Sequence, residues 1–277
     1  MGVYEMKAMQ KKKLSKHVFI SIVSVLLCVL IGLTSYGFYL DSVVRTQAYS
    51  YFFTTEKTSS TASNVHKITI GKLVGYAYTP SHATKTVVYY GGSGSIAYNN
   101  AIQMSKLMPD YNIVCVDYPG VQDSQGTMTL STMKASAKAA YDYAAKTYGS
   151  DVTVMGYSFG TGIAAYLASV RTASKLILMA PYIDGVALYN TEVNVFHGLW
   201  SAFVTQNIDT KAYASKVTCE TLIITSTGDT CLPSSQSYAL AKYFHGNATV
   251  TCFKGIAHSQ YKQTASVMNK VNQFVGA

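Results

Sequence analysis

Residues 156–160 read G-Y-S-F-G, so that one serine, Ser158, stands between two glycines. The apolar run VTVM precedes this pentapeptide, and the helix-forming stretch TGIAAYLASV follows it. Between a strand and a helix, this pattern is typical of a nucleophile on a sharp turn, where the neighbouring backbone leaves no room for a Cβ on either glycine. The N-terminal amides of the helix then face the charge that develops on a substrate. The alternative interpretation is an ordinary glycine-serine turn.

A serine nucleophile needs a base, and the base needs an acid to orient it; in this setting they follow in the chain order serine, acid, histidine. Asp229 directly follows the apolar run TLIITSTG, and His258 ends the sequence GIAH after the run TVTCFK. Taken singly, Asp229 would be interpreted as a turn-capping aspartate and His258 as a surface histidine. Because both follow predicted strands in the required order, they predict a catalytic triad with Ser158.

A tetrahedral oxyanion requires two N–H donors. Phe159, the residue after the nucleophile, is expected to supply one backbone amide. The loop after the run VVYY has the sequence GGSG at residues 91–94, and Gly92 is expected to supply the second amide, with Ser93 as the neighbouring alternative. A phosphate-binding loop is the other interpretation of this segment, but the Lys-Ser/Thr pair that would support it is missing.

Strand-like and helix-like segments alternate from residue 66 onward and supply the frame for these residues. HKITIGKLVGYAYTP predicts a hairpin that turns at Gly71, and short apolar runs such as KTVVYY, KLILMA and TLIITS predict buried strands. MKASAKAAYDYAAKTYG, SYALAKYFHGN and SQYKQTASVMNKVNQFV predict helices. The alternation predicts an α/β fold with a mainly parallel central sheet and helices on both faces. Ligands in such sheets bind beyond the carboxyl ends of the strands.

The ordered segments YYGGSG, DYPGVQDSQGT, GYSFGTGIAA, TGDTCLP and GIAH resemble the α/β-hydrolase superfamily. They are most similar to its small serine hydrolases of the membrane-associated depalmitoylase type and to serine-aminopeptidase-like members. The resemblance covers about residues 66–277 and implies Ser158 as nucleophile, Asp229 as acid and His258 as base. The chain departs from the family pattern at three positions: Tyr90 replaces a frequent histidine, Gln122 a usual glycine, and Ile256 the second glycine near the catalytic histidine.

An insertion at about residues 183–218 is expected to form a small cap above the nucleophile. It contains several aromatic and aliphatic residues, namely Tyr189, Val195, Phe196, Leu199, Trp200 and Phe203. This content favours an uncharged small molecule or an acyl-bearing substrate, and no cofactor is expected. The alternative is that these side chains only pack on the core.

The first residues predict a membrane anchor rather than a nucleic-acid site. Five lysines precede Val18, and residues 18–40 contain no ionisable acid or base. A helix of that length reaches about 35 Å, enough to span a bilayer. The sequence therefore predicts a cytoplasmic basic segment at 1–17, an anchor at 18–40, a polar stalk at 41–64 and an extracytoplasmic hydrolase domain at 65–277. A cleaved signal peptide is the alternative and places the domain on the same side.

Composition narrows the remaining classes of protein and of function. Apolar residues make up 49% of the 277 residues and charged residues 13%, which excludes a disordered chain. Cys115 is expected to be buried. Whether one pair among Cys219, Cys231 and Cys252 forms a disulfide stays open, and no cysteine or histidine spacing suggests a metal site. We therefore expect a membrane-anchored serine hydrolase of an ester, thioester or amide acyl bond, and its oligomeric state stays open. A peptidase of the serine-aminopeptidase type and a catalytically silent binding protein are the alternatives.

Overall fold

The computed structural model describes residues 2–43, 64–192 and 194–276, with side chains in the first helix from Ser15 to Ser42. Most of the predicted stalk at 41–64 lies outside the described residues. The cap at 183–218 is described apart from residue 193, and it follows the sixth strand and precedes the seventh.

The strands are β1 Val65–Ile70, β2 Leu73–Tyr78, β3 Thr86–Tyr90, β4 Asn112–Val116, β5 Val152–Tyr157, β6 Lys175–Met179, β7 Glu220–Ser226 and β8 Ala248–Phe253. The α-helices are α1 Val3–Val43, α2 Ala97–Leu107, α3 Leu130–Tyr148, α4 Gly160–Val170, α5 Gly185–Glu192, α6 Thr210–Ala214, α7 Ser234–Ala241 and α8 Ala265–Gly276. Short 3₁₀ helices cover Gly198–Phe203, Lys242–Phe244 and His258–Gln263.

The strands form one sheet in the order β1-β2-β4-β3-β5-β6-β7-β8. β1 and β2 form the predicted hairpin, with Ile70 opposite Leu73 and Gly71 in the left-handed region at φ +62°. β2 also pairs antiparallel with β4, whereas β3 to β8 pair in parallel. The predicted α/β class with a mainly parallel sheet is confirmed.

Successive side chains of the inner strands enter two separate cores, one on each face of the sheet. On β3, Val88 and Tyr90 belong to the core under α3 and α4, while Val87 and Tyr89 belong to the core under α2 and α8. Burial on both faces explains why these strands are continuous apolar runs rather than alternating ones.

The chain after His258 differs from the single closing helix that the sequence predicts. A 3₁₀ helix, His258–Gln263, precedes α8, and Thr264 between them has extended backbone angles of φ −92° and ψ 111°. The Gln260 side chain accepts the Ala257 amide at 3.1 Å and so caps the start of this 3₁₀ helix. The result places His258 on a short turn rather than before a long helix.

The segment Ser15–Ser42 of α1 is long and apolar enough to cross a membrane, and its most apolar window is not buried by the rest of the chain.

All five cysteines are free thiols, so the structure contains no disulfide among Cys219, Cys231 and Cys252. Cys115 is buried in β4, as its apolar setting predicts.

Candidate active site

Ser158 sits on a strained turn between β5 and α4. Its φ is +51°, a left-handed conformation that residues with a Cβ rarely adopt. The Ser158 amide donates to the carbonyl of Met179 at 2.9 Å, and the Thr161 amide donates to the Ser158 carbonyl at 2.9 Å. Bonds to the neighbouring strand and to the first turn of α4 therefore hold this serine in its strained geometry.

The glycines on either side of Ser158 are required by backbone packing. A Cβ on Gly156 would lie 2.6 Å from the carbonyl oxygen of Gly160. A Cβ on Gly160 would lie 2.2 Å from the carbonyl oxygen of Tyr90 at the end of β3. Both distances are shorter than any real Cβ contact, so only glycine fits at either position.

The fold brings the three predicted triad residues together. Ser158 Oγ lies 2.8 Å from His258 Nε2, and His258 Nδ1 lies 2.8 Å from Asp229 Oδ2. Asp229 follows β7 on what we call the acid loop, and His258 follows β8 on what we call the histidine loop. In the tautomer that satisfies all three groups, Nδ1–H donates to the carboxylate and Nε2 accepts from the serine hydroxyl. Their catalytic roles are taken up below as a proposal.

The Asp229 carboxylate is buried and receives four donors. Oδ1 accepts the amides of Cys231 and Leu232 at 3.0 and 2.8 Å. Oδ2 accepts the Tyr261 hydroxyl at 3.1 Å in addition to His258 Nδ1. Burial raises the pKa of Asp229, but these hydrogen bonds and the nearby histidine outweigh it and hold the pKa below its ordinary value. The carboxylate is therefore ionised at neutral pH and can support positive charge on the imidazole.

The acid loop and the histidine loop are fixed to each other. The Ser226 hydroxyl accepts the amides of Gly228 at 3.1 Å and Ile256 at 2.8 Å, one from each loop. Thr227 Oγ1 accepts the Gly255 amide at 3.2 Å, and a Cβ on Gly228 would lie 2.5 Å from the Gly255 carbonyl carbon. Because the two backbones touch, the distance between carboxylate and imidazole is set by the fold rather than by flexible side chains.

Sequence reasoning missed two tyrosines around the imidazole. Tyr157, directly before Ser158, donates its hydroxyl to the His258 carbonyl, and its ring stacks on the imidazole with centroids 5.5 Å apart. Tyr261, which bonds the carboxylate, is fully buried in the 3₁₀ turn that carries His258. Tyr261 lies in a segment predicted as a helix, so no local pattern marks it. Tyr157 is the variable position of the serine motif.

The expected oxyanion residues lie on either side of the serine. Gly92 is buried, and a Cβ there would lie 3.4 Å from the Ser158 Cβ, whereas Ser93 is exposed. The Gly92 carbonyl accepts the Ser95 hydroxyl at 2.7 Å, which fixes the loop. Phe159 precedes the first residue of α4, at the positive end of the helix dipole. The roles of Phe159 and Gly92 as oxyanion donors, with Ser93 as the alternative to Gly92, stay predictions.

Comparison with known proteins decides the fold family. A family model described as alpha/beta hydrolase fold matches residues 85–208. An esterase from Pyrococcus furiosus is similar in structure with a TM-score of 0.64 and 14% identity, covering 81% of this chain and 97% of the esterase. The chain has the α/β-hydrolase fold.

Two further solved structures are similar to this chain in fold. Est1E from Butyrivibrio proteoclasticus, with ferulic acid bound, has a TM-score of 0.62 and 17% identity, covering 76% of this chain and 97% of Est1E. Mouse alpha/beta hydrolase domain-containing protein 10 has a TM-score of 0.56 and 13% identity, covering 77% of this chain and 97% of the mouse protein. No curated protein sequence matches this chain. The resemblance to the superfamily is confirmed, while the narrower likeness to depalmitoylases or serine aminopeptidases stays a prediction.

Two of the departures from the hydrolase pattern have structural explanations. Gln122, where glycine is usual, has φ +49°, so the loop keeps a conformation that favours glycine. Tyr90 is buried, and its hydroxyl donates to the Ala137 carbonyl at 3.2 Å, away from Ser158. Asp184, in the loop after β6, is the second candidate for the acid. Its carboxylate pairs with Lys211 Nζ at 2.7 Å, and no contact among the described residues joins it to His258.

The hydrophobic cap residues do not line a described cavity with the triad. Tyr189 and Phe196 are buried in the core, and Trp200 and Phe203 contact α1. A cleft of about 550 Å³ lies between α5 and the acid loop. Its lining combines polar and apolar surface in nearly equal amounts, from Ala187, Asn190, Thr191, Asn194, His197, Thr230, Cys231, Pro233 and Gln236. These four residues pack on the core or on α1, and the expectation that the cap shapes an acyl pocket stays a prediction.

Proposed function

We propose that this chain is a membrane-anchored serine hydrolase that cleaves an ester, thioester or amide acyl bond. The observation that carries the proposal is the continuous hydrogen-bonded chain from Ser158 Oγ through His258 to Asp229, with both links at 2.8 Å. The strained serine backbone at the carboxyl edge of the sheet adds to it, as do the esterases and hydrolases among the similar solved structures.

In the acylation step, Ser158 Oγ attacks the acyl carbonyl carbon while His258 Nε2 takes the hydroxyl proton. The imidazolium that forms is stabilised by the buried Asp229 carboxylate. The C=O electron pair moves to the carbonyl oxygen, where the Phe159 and Gly92 amides stabilise it. Collapse of the tetrahedral intermediate expels the leaving group, which takes the proton from Nε2.

Deacylation repeats this chemistry with water. His258 takes a proton from water as its oxygen attacks the acyl-serine carbonyl, and then returns that proton to Ser158 Oγ as the acid product leaves. Each proton lost by a nucleophile is thus returned to a leaving oxygen, sulfur or nitrogen through one histidine. The residues of this cycle all belong to the chain, and it needs no cofactor.

The same proposal places residues 1–17 in the cytoplasm and the hydrolase domain outside. Five lysines precede Val18, whereas Asp41 and Arg45 balance each other beyond the apolar segment. Leu40 and Asp41 are buried against the folded domain, so the outer end of α1 is part of the packed structure, and cleavage after residue 41 would remove those contacts. This favours a retained anchor. Digestion of the domain by protease added to intact cells is expected; full protection in expressing cells would reverse the orientation, and a mature N-terminus beyond residue 35 would mean cleavage.

The activity is tested by fluorophosphonate labelling and an ester panel of increasing acyl length, with aminoacyl and peptide amides beside it. Ser158→Ala is expected to abolish labelling and lower kcat by about 10³-fold or more. Ser237→Ala is the matched control, because Ser237 is also buried and its hydroxyl has no hydrogen-bond partner among the described residues. Labelling that persists in Ser158→Ala would contradict the assignment, and turnover confined to aminoacyl or peptide amides would make the chain a peptidase.

A further inference from the structure

The outer end of α1 packs directly against the cap. The Tyr36 and Trp200 rings meet edge to face with centroids 5.2 Å apart. The Phe203 ring covers Gly37 so closely that a Cβ there would lie 2.2 Å from a ring carbon. The Thr205 hydroxyl donates to Asp41 Oδ1 at 3.2 Å. The helix end and the 3₁₀ segment of the cap therefore form one packed unit.

Around this junction, large apolar side chains point away from the protein. Leu199, in the same 3₁₀ segment as Trp200, is 91% exposed, and Phe38 and Tyr39 on α1 are more than half exposed. An isolated exposed leucine needs no explanation in a soluble protein. Here, however, the exposed surface is continuous with the apolar segment Ser15–Ser42, whose most apolar window no part of the domain covers. Aromatic rings at the end of such a segment are typical of the lipid–water interface.

The junction lies on the catalytic side of the molecule. Gln206 of the cap accepts the amide of Leu130 through Oε1 at 3.1 Å, and Leu130 begins α3, which follows the loop from the carboxyl end of β4. Ser158 follows the carboxyl end of the parallel strand β5, at the same edge of the sheet. A bilayer that surrounds α1 therefore meets the cap before it meets the opposite edge of the sheet. Tyr111, which directly precedes β4, marks that opposite edge.

We propose that Leu199, Trp200, Phe38 and Tyr39 form a bilayer-contact surface that seats the cap in the headgroup region, so that the hydrolase acts on an acyl ester whose chain lies in the membrane. The proposal rests on the anchoring and hydrolysis proposed above. Burial of apolar side chains in lipid supplies the attraction. The acyl chain of such a substrate approaches the catalytic edge from the lipid, and only its ester group has to reach Ser158.

Trp200 is the only tryptophan of the chain and reports on this surface without a label. The full chain is placed in phosphatidylcholine nanodiscs, one chain per disc, with or without bromine on the lipid acyl chains. Trp200 emission is expected to be quenched by the brominated lipid. A Tyr111→Trp reporter in a Trp200→Phe background is expected to escape quenching. Equal emission from Trp200 in both lipids would overturn the proposal, as would emission that changes only when two chains share a disc, which would mean that a second copy covers the surface.

Leu199→Glu tests the substrate class. Leu199→Glu removes an apolar contact with the bilayer. The ratio of chains whose cap contacts the bilayer to chains whose cap does not is expected to fall about tenfold, with a matching loss of quenching. Hydrolysis of a long-chain ester carried in the disc should fall, while hydrolysis of a soluble short-chain ester stays unchanged; Leu199→Met should preserve both. An equal loss on both esters, or no loss on either, would overturn the membrane-borne substrate. Absence of hydrolysis in the wild-type chain would refute the proposed function and leave the quenching result to decide the surface.

Discussion

Tyr261→Phe separates a positioning role from a merely structural one. The Tyr261 hydroxyl donates to Asp229 Oδ2 at 3.1 Å, the same oxygen that accepts His258 Nδ1–H. Phenylalanine keeps the ring in its buried site and removes only this donor. Three donors remain on the carboxylate, so the triad stays assembled and the variant is expected to fold.

The expected size of the Tyr261→Phe effect follows from the negative charge on the Asp229 carboxylate, which accepts the hydrogen bond. A hydrogen bond to a charged group contributes about 1.5–3 kcal/mol, and one pKa unit corresponds to about 1.4 kcal/mol. Loss of the bond raises the proton affinity of the carboxylate and so raises the pKa of Asp229. Because three donors remain on the carboxylate, only part of this effect is expected in the profile, and the acid limb of the kcat/KM profile should move up by about one pH unit. The plateau should fall by about tenfold at most, because His258 keeps its bond to Oδ2.

The assay is kcat/KM on a soluble ester as a function of pH, with thermal unfolding measured beside it. Tyr89→Phe is the matched control: Tyr89 is also a fully buried tyrosine, and its hydroxyl has no hydrogen-bond partner among the described residues. Its profile should match that of the wild-type chain. A Tyr261→Phe profile lowered equally at every pH, with an unmoved acid limb, would refute the positioning role.

Two further predictions concern stability. Burial raises the pKa of Asp117 to about 6 from 3.8, so folding favours its protonated form; the stabilisation is complete below about pH 4 and is lost as pH rises through about 6, by at most about 3 kcal/mol. Asp117→Asn should flatten this dependence in denaturant unfolding at several pH values, and an unchanged slope would contradict it. Gly160→Ala should destabilise by at least about 3 kcal/mol because its Cβ overlaps the Tyr90 carbonyl. Gly71→Ala, at φ +62° in open space, should lose only about 1–2 kcal/mol in the same assay, and equal losses would show that steric overlap is not the cause.

The frame of the molecule could be predicted because its signals are local. Buried parallel strands are short apolar runs, and the turn at Gly71 needs a left-handed residue, so both leave a mark in the sequence. Chain order then places Ser158, Asp229 and His258 after three strands of one sheet. The structure brings these side chains within hydrogen-bonding distance, because parallel strands end at the same edge.

The remainder could not be predicted because it depends on contacts between distant segments. Tyr261 bonds a residue 32 positions earlier, and its sequence neighbours fit a helix equally well. Thr205 and Asp41 are 164 positions apart, and the cap aromatics that suggested a substrate pocket pack on α1 and in the core instead. Composition predicts that such side chains will be buried, but it does not predict which part of the protein they will pack against.

The catalytic edge is held together by backbone contacts, and this accounts for the Ile256 departure from the hydrolase pattern. The Ile256 amide donates to the Ser226 hydroxyl, a bond that any residue except proline can make, and its side chain is buried in the core on the α2 and α8 side. The close approach between loops is made one residue earlier, where Gly255 at φ +70° touches Gly228. A side chain at 256 therefore adds apolar burial without separating the acid loop from the histidine loop, and the imidazole keeps its distance to the carboxylate.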